Sequence, residues 1–200
     1  VNTYQATFNN DPVLVPAAQT AVIGFTPKSD GEGVAQASDG NINTKYMTSD
    51  GANTGLKFSL AKATAINTLR LTTANDREGR DPMTYSIYGS NVDLPWDDTD
   101  WVAIVEHQAT NLSTTRFSTS TLKLDNSAAY KYYKVLFPTV RNGHFEDGTQ
   151  IAEVQLAVDQ APVYTSTISN VEKLTFAGMR ELSLSLTADG VSKVQGSTLD

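Results

Sequence analysis

The middle of the chain alternates apolar and polar residues in short runs. Gly55-Leu56-Lys57-Phe58-Ser59-Leu60 sets Leu56, Phe58 and Leu60 on one side and Lys57 and Ser59 on the other. That period of two marks a strand with one buried face. Leu69 and Leu71 keep the spacing within residues 66–73, and Thr84-Tyr85-Ser86-Ile87-Tyr88 repeats it before Gly89. Residues 101–105, 117–124 and 130–137 add three strands, the last rich in tyrosine and β-branched residues that suit a pleated surface. Residues 21–25 open the series and residues 151–158 close it. Gly, Asn, Asp and Pro clusters separate these runs, and no segment has the period of an amphipathic helix. The expectation is an all-β chain, a β-sandwich or jelly roll of antiparallel sheets. Leu69, Leu71, Tyr85, Ile87, Val135 and Phe137 hold alternate positions and are expected to face its core.

The sandwich is expected over residues 20–158. Residues 1–19 read as an N-terminal extension, where Asp11-Pro12 and Val15-Pro16 argue against a helix. At Gln160-Ala161-Pro162 the character shifts. Residues 159–200 read as a linker and C-terminal β extension, or as the start of a neighbouring module. Strands are expected at 172–176 and 181–186, with a turn at Ala188-Asp189-Gly190. So short a segment rarely builds a core of its own. The chain opens on Val1 rather than methionine, which reads as a mature or excised piece of a secreted or cell-surface protein.

Composition removes several functions. There is no cysteine, and the only histidines are His107 and His144, so thiolate and imidazole metal sites lose their ligands. The net charge is −7 and the basic residues are scattered, which argues against a nucleic-acid partner. No apolar run approaches the ~20 residues that span a bilayer, so membrane insertion is not expected. Metalloprotease, nucleophile-elbow and phosphate-loop motifs are absent. Glu146 and Asp147 are adjacent carboxylates, which seldom keep the fixed separation that glycoside hydrolysis needs. The chain is expected not to be an enzyme.

One stretch concentrates oxygen donors: Ala37-Ser38-Asp39-Gly40-Asn41-Ile42-Asn43-Thr44-Lys45-Tyr46. Glycine and asparagine tolerate positive φ, so Asp39-Gly40-Asn41 folds the chain back sharply. The curl turns carbonyl oxygens, the Asp39 carboxylate and the Thr44 hydroxyl toward one point. Such a point suits Ca²⁺, which takes six to eight oxygens at ~2.3–2.6 Å. The same residues equally suit a polar turn between two strands.

Four pieces in order resemble the discoidin, or coagulation-factor type C, family and related carbohydrate-binding modules. They are Ala37-Ser38-Asp39-Gly40 with Thr44-Lys45-Tyr46; Asn75-Asp76-Arg77-Glu78-Gly79-Arg80-Asp81-Pro82; Tyr85-Ser86-Ile87-Tyr88-Gly89-Ser90-Asn91 leading to Trp101; and Ile151-Ala152-Glu153-Val154-Gln155-Leu156. The resemblance spans residues 20–158 and implies a galactose-binding-like jelly roll. It also implies a structural calcium ion held by the side chains of Asp39, Thr44 and Glu153 and by main-chain oxygens around Ala37, Asn41 and Ala152. Such an ion would tie the two ends of the domain together. Without it, Glu153 reads as an ordinary solvent-facing residue on an alternating strand.

In family members that bind sugars the ligand lies in loops at one end of the sandwich, which here are residues 48–54, 75–82 and 141–150. Asp76, Arg77, Arg80 and Asp81 offer paired polar groups for neighbouring hydroxyls. Phe145, with His144 beside it, offers an aromatic face. Arg80 and Asp81 could instead pair with each other or with the sandwich rim. Ser49-Asp50-Gly51-Ala52-Asn53 lacks the histidine and aromatic platform of relatives with well-defined galactose sites. The leading expectation is a non-catalytic module attaching a larger protein to a glycan or surface polysaccharide, alongside other modules of the same parent chain. The alternative is a structural or adhesive module, on a cell surface or virion, that binds a protein. Asp93, Asp97, Asp98 and Asp100 around Trp96 read as a solvated charge run, with Trp96 exposed and Trp101 packed at the sandwich edge.

Overall fold

The computed structural model describes residues 12–15, 26–142 and 148–159, and the backbone of 17–19, 185–188 and 191–194. The chain divides into two compact units, one of them Pro12–Val158. Its strands are β1 (Val13–Leu14), β2 (Ala17–Gln19), β3 (Tyr46–Thr48), β4 (Thr54–Thr64), β5 (Thr68–Thr72), β6 (Pro82–Ser90), β7 (Val102–Ala109), β8 (Thr119–Lys123), β9 (Tyr130–Val140), β10 (Thr149–Ile151) and β11 (Glu153–Val158). The second unit contains β12 (Ser185–Ala188) and β13 (Val191–Val194), an antiparallel pair with Ala188 opposite Val191. The strands expected at 21–25 and 172–176 lie outside the described residues, as do residues 181–184 and the turn at Asp189-Gly190.

A five-stranded sheet runs β2-β4-β9-β6-β7 and a four-stranded sheet runs β1-β11-β5-β8, each wholly antiparallel. The short pair β3–β10 lies apart from both. One apolar cluster joins the two large sheets. Leu56, Phe58, Tyr85, Ile87, Tyr133, Val135 and Phe137 come from the first, and Leu69, Leu71, Leu122, Val154 and Leu156 from the second. All six residues expected in the core are buried there. The strand alternation therefore builds a jelly-roll sandwich. Strands β1 and β2 fall within the stretch read as an extension, and they pair with β11 and β4.

The outer face of the five-stranded sheet departs from simple alternation. Lys57 and Lys134 point away from the core yet are buried. The loop between β6 and β7 covers them: Lys57 pairs with Asp93 and donates to the Leu94 carbonyl (2.7 Å). Lys134 donates to the Trp96 carbonyl (3.0 Å) and lies over the Tyr88, Trp96 and Trp101 rings at 4.5, 5.5 and 5.1 Å. Trp96, expected to be exposed, is thus half-buried. Trp101 is buried, its indole N–H donating to the Pro95 carbonyl (2.7 Å). The lysine stems spread over apolar surface while their charges meet carbonyls and aromatic faces.

Candidate functional site

The turn after Ala37 forms as its residues dictate. A single 3-10 turn, Val34–Ala37, ends at Ser38, and Gly40 takes φ +77, which few other residues adopt without strain. Asp39 Oδ1 accepts the Asn41 N–H (2.8 Å), and its Oδ2 accepts the Thr44 hydroxyl (2.8 Å). The Asn41 carbonyl accepts both the Thr44 N–H (3.0 Å) and the Thr44 hydroxyl (2.7 Å). The single Thr44 hydroxyl hydrogen is shared between Asp39 Oδ2 and the Asn41 carbonyl, so that carbonyl and the hydroxyl oxygen both keep acceptor capacity.

Glu153 opens β11 and meets this turn. It is 1 % exposed, and neither carboxylate oxygen has a hydrogen-bond partner. Burial first, and then the Asp39 carboxylate lying against it, push its pKa up to about 7, while the nearby Asn41 and Gly40 amides act in the opposite direction. A buried carboxylate without a partner is costly, and a second carboxylate beside it adds repulsion. The side-chain donors that meet here are hard oxygens: the Asp39 and Glu153 carboxylates and the Thr44 hydroxyl. Among the described residues no group of three or more His, Cys, Asp or Glu side chains comes together. Hard oxygen donors of this kind suit a calcium-type ion better than a transition metal.

Lys45, the next residue, links this turn to the loop between β5 and β6. Its buried ammonium donates to Asp76 Oδ1 (2.7 Å) and Gln150 Oε1 (3.3 Å) and lies 3.6 Å from Glu32. Burial pushes Asp76 upward, but the hydrogen bond and charge of Lys45 outweigh it and hold the carboxyl below its usual range. Gln150 on β10 donates in turn to the Asp76 carbonyl (2.5 Å) and the Arg77 carbonyl (3.1 Å). These bonds fix Arg77 at φ 33, a left-handed conformation that strains a residue carrying a Cβ. A short 3-10 turn, Glu78–Arg80, follows, with Gly79 pressed so close to Asn142 that a Cβ would sit 2.0 Å from its amide nitrogen. The Asn142 N–H donates to the Gly79 carbonyl (3.1 Å), and the Arg141 N–H to the Asp81 carbonyl (3.0 Å). The loop at 75–82 and the start of the loop at 141–150 therefore meet.

The sequence-derived candidates separate within this loop. Asp76 and Arg77 are exposed and Arg80 is half-buried. Asp81 is 0 % exposed and serves the scaffold: Arg116 Nη1 and Nη2 donate to its two oxygens at 3.0 and 2.5 Å, and Arg141 lies 3.7 Å away. Burial raises its pKa while the two arginines pull it down, leaving it above the ordinary value. It pairs with neither Arg80 nor solvent. Arg80 instead places Nη1 3.4 Å from the Met47 sulfur, and its Nε is buried without a partner. His144 and Phe145 lie outside the described residues. Lys45, Gln150, Arg116 and Arg141 were not singled out from sequence. The Lys45–Asp76, Arg116–Asp81 and Lys45–Gln150 hydrogen bonds span 31, 35 and 105 positions, so no local pattern announces them.

A scan against protein-family models finds no match, and neither does a search of curated proteins. Solved structures do share the fold. A family 32 carbohydrate-binding module from Clostridium perfringens, in complex with GalNAc-β-1,3-galactose, is 18% identical with a TM-score of 0.55, covering 71% of this chain and 95% of that one. The family 32 module from Streptococcus pneumoniae EndoD is 13% identical with a TM-score of 0.56, covering 74% and 99%. A structure of two such modules with the M60 catalytic domain of Clostridium perfringens ZmpB is 14% identical with a TM-score of 0.56, covering 71% and 14%.

Proposed function

We propose that this chain is a discoidin-type, non-catalytic carbohydrate-binding module that attaches a larger secreted or surface protein to a glycan. The observation that carries the reading is the loop end of the sandwich. There Asp76, Arg77 and Arg80 stand on a turn pinned by the buried Lys45 and Gln150 and by the contact of Asn142 with Gly79. Sugar recognition needs such fixed polar groups, because each hydrogen bond to a hydrated hydroxyl nets only ~0.5–1.5 kcal/mol. A flat apolar loop end would favour a protein ligand, and this one is polar. The solved structures with this fold include a sugar complex and modules joined to a catalytic domain, which supports both halves of the reading. A single site of this kind binds weakly, so attachment relies on repeated glycans or several modules.

The proposal includes a structural calcium ion. Asp39, Thr44 and Glu153 would hold it with the carbonyls of Ala37 and Ala152, and the ion would neutralise the facing carboxylates. The Asn41 carbonyl, which shares the Thr44 hydroxyl hydrogen with Asp39, would join them. A glycan-array screen with the full chain, in calcium and in chelator, tests the function. Saturable binding to a defined set of sugars that weakens in chelator is expected. Absence of binding across the array in calcium would overturn it.

A further inference from the structure

The charges of the loop end can be matched acid by acid. Asp81 holds Arg116 and Arg141, and Asp76 and Glu32 hold Lys45. The exposed Glu78 lends its charge to Arg116. Two cations remain. Among the described residues the Arg77 side chain has no hydrogen bond or ion pair, and Arg80 meets a thioether sulfur, a weak acceptor. Its Nε–H is held dry with no acceptor at all. Asp76, the acid whose charge reaches Arg80, is already hydrogen-bonded by Lys45.

A half-desolvated guanidinium with unfilled donors is strongly favoured to take an anion. Arg77 and Arg80 stand three residues apart on one 3-10 turn, the Arg80 N–H donating to the Arg77 carbonyl (3.0 Å). Arg77, in the left-handed conformation, caps the 3-10 turn Glu78–Arg80, so the two arginines bracket one short turn. The left-handed backbone at Arg77, held by Gln150, fixes that arrangement at a cost in strain.

We infer that the glycan bound here carries a carboxylate, as a uronic acid does, and that Arg77 and Arg80 grip it. This inference rests on the function proposed above and specifies its ligand. A planar carboxylate matches the guanidinium fork in a way that a lone hydroxyl does not.

The test uses the full chain in calcium, first on an array of neutral, uronate-bearing and sulfated galactose glycans. Calorimetry with oligogalacturonate and with its methyl ester follows. Preference for the uronates is expected, with esterification weakening binding tenfold or more and high salt weakening only the free acid. Arg77→Gln and Arg80→Gln should each remove most of that preference. Arg77 is exposed, so its variant remains informative if the Arg80 variant folds poorly. Equal binding of neutral and acidic sugars, or of acid and ester, would overturn this inference and leave the proposed function standing. Preference for sulfated sugars alone would overturn the carboxylate assignment. No binding to any sugar would overturn both readings.

Discussion

Among the described residues of this domain two carboxylates are buried, and the protein treats them in opposite ways. Asp81 is enclosed by Arg116 in a two-point hydrogen-bonded pair, with Arg141 behind it. Glu153 is enclosed as completely but faces Asp39 and accepts no hydrogen bond. Burial alone pushes either group toward its neutral form. A guanidinium fork answers that push in one place, and among the described residues no cation answers it in the other. A buried acid matched by the protein's own cations is a brace, whereas one left facing a second acid is a place for a cation from outside.

Breaking the brace should have the largest effect. Asp81→Ala leaves two arginines without their acid, and removing one partner of a buried pair costs about 3–5 kcal/mol. Thermal unfolding should show a drop of that order, equal in calcium and in chelator. The opposite region should respond to the ion. With calcium at about a hundred times its Kd, binding adds roughly 2.7 kcal/mol of stability that chelator removes. Asp39→Ala should abolish the difference between the two melting curves.

The pH response sharpens the contrast. Glu153 titrates near 4.5 when unfolded and at about 7 when buried. Between those values the unfolded chain sheds this proton before the folded one, so the folded state loses stability as pH rises. In chelator, the contribution of this group should make the domain more stable at pH 5 than at pH 7. Bound calcium should flatten that dependence, and Glu153→Gln should remove it in denaturant titrations at the two pH values. The smallest effect is expected at Arg77, which is exposed and unpaired among the described residues. Arg77→Gln should shift stability by less than about 0.5 kcal/mol.

The strand series was legible because a sheet writes its buried face into sequence at a period of two. Leu69, Leu71, Tyr85 and Ile87 needed no long-range information. The Asp39-Gly40 turn was legible for the same reason, since its chemistry is local. Features set by distant contacts were not. Asp81 read as a ligand group because its partner Arg116 stands 35 positions away. Lys57 stands on the polar side of its strand's alternation, and its burial, like that of Lys134, depends on the aromatic loop that folds over the sheet. Glu153 read, without the family resemblance, as a surface residue of β11. Only the packing of the first turn against the last strand encloses it.

Calorimetric titration of calcium into metal-stripped full-length chain tests the contrast most directly, with Glu153→Gln run alongside. The account predicts one saturable calcium site in the native chain and none in the variant, which should nevertheless fold and melt cooperatively. Absence of calcium binding to the native chain, or undiminished binding to Glu153→Gln, would contradict it.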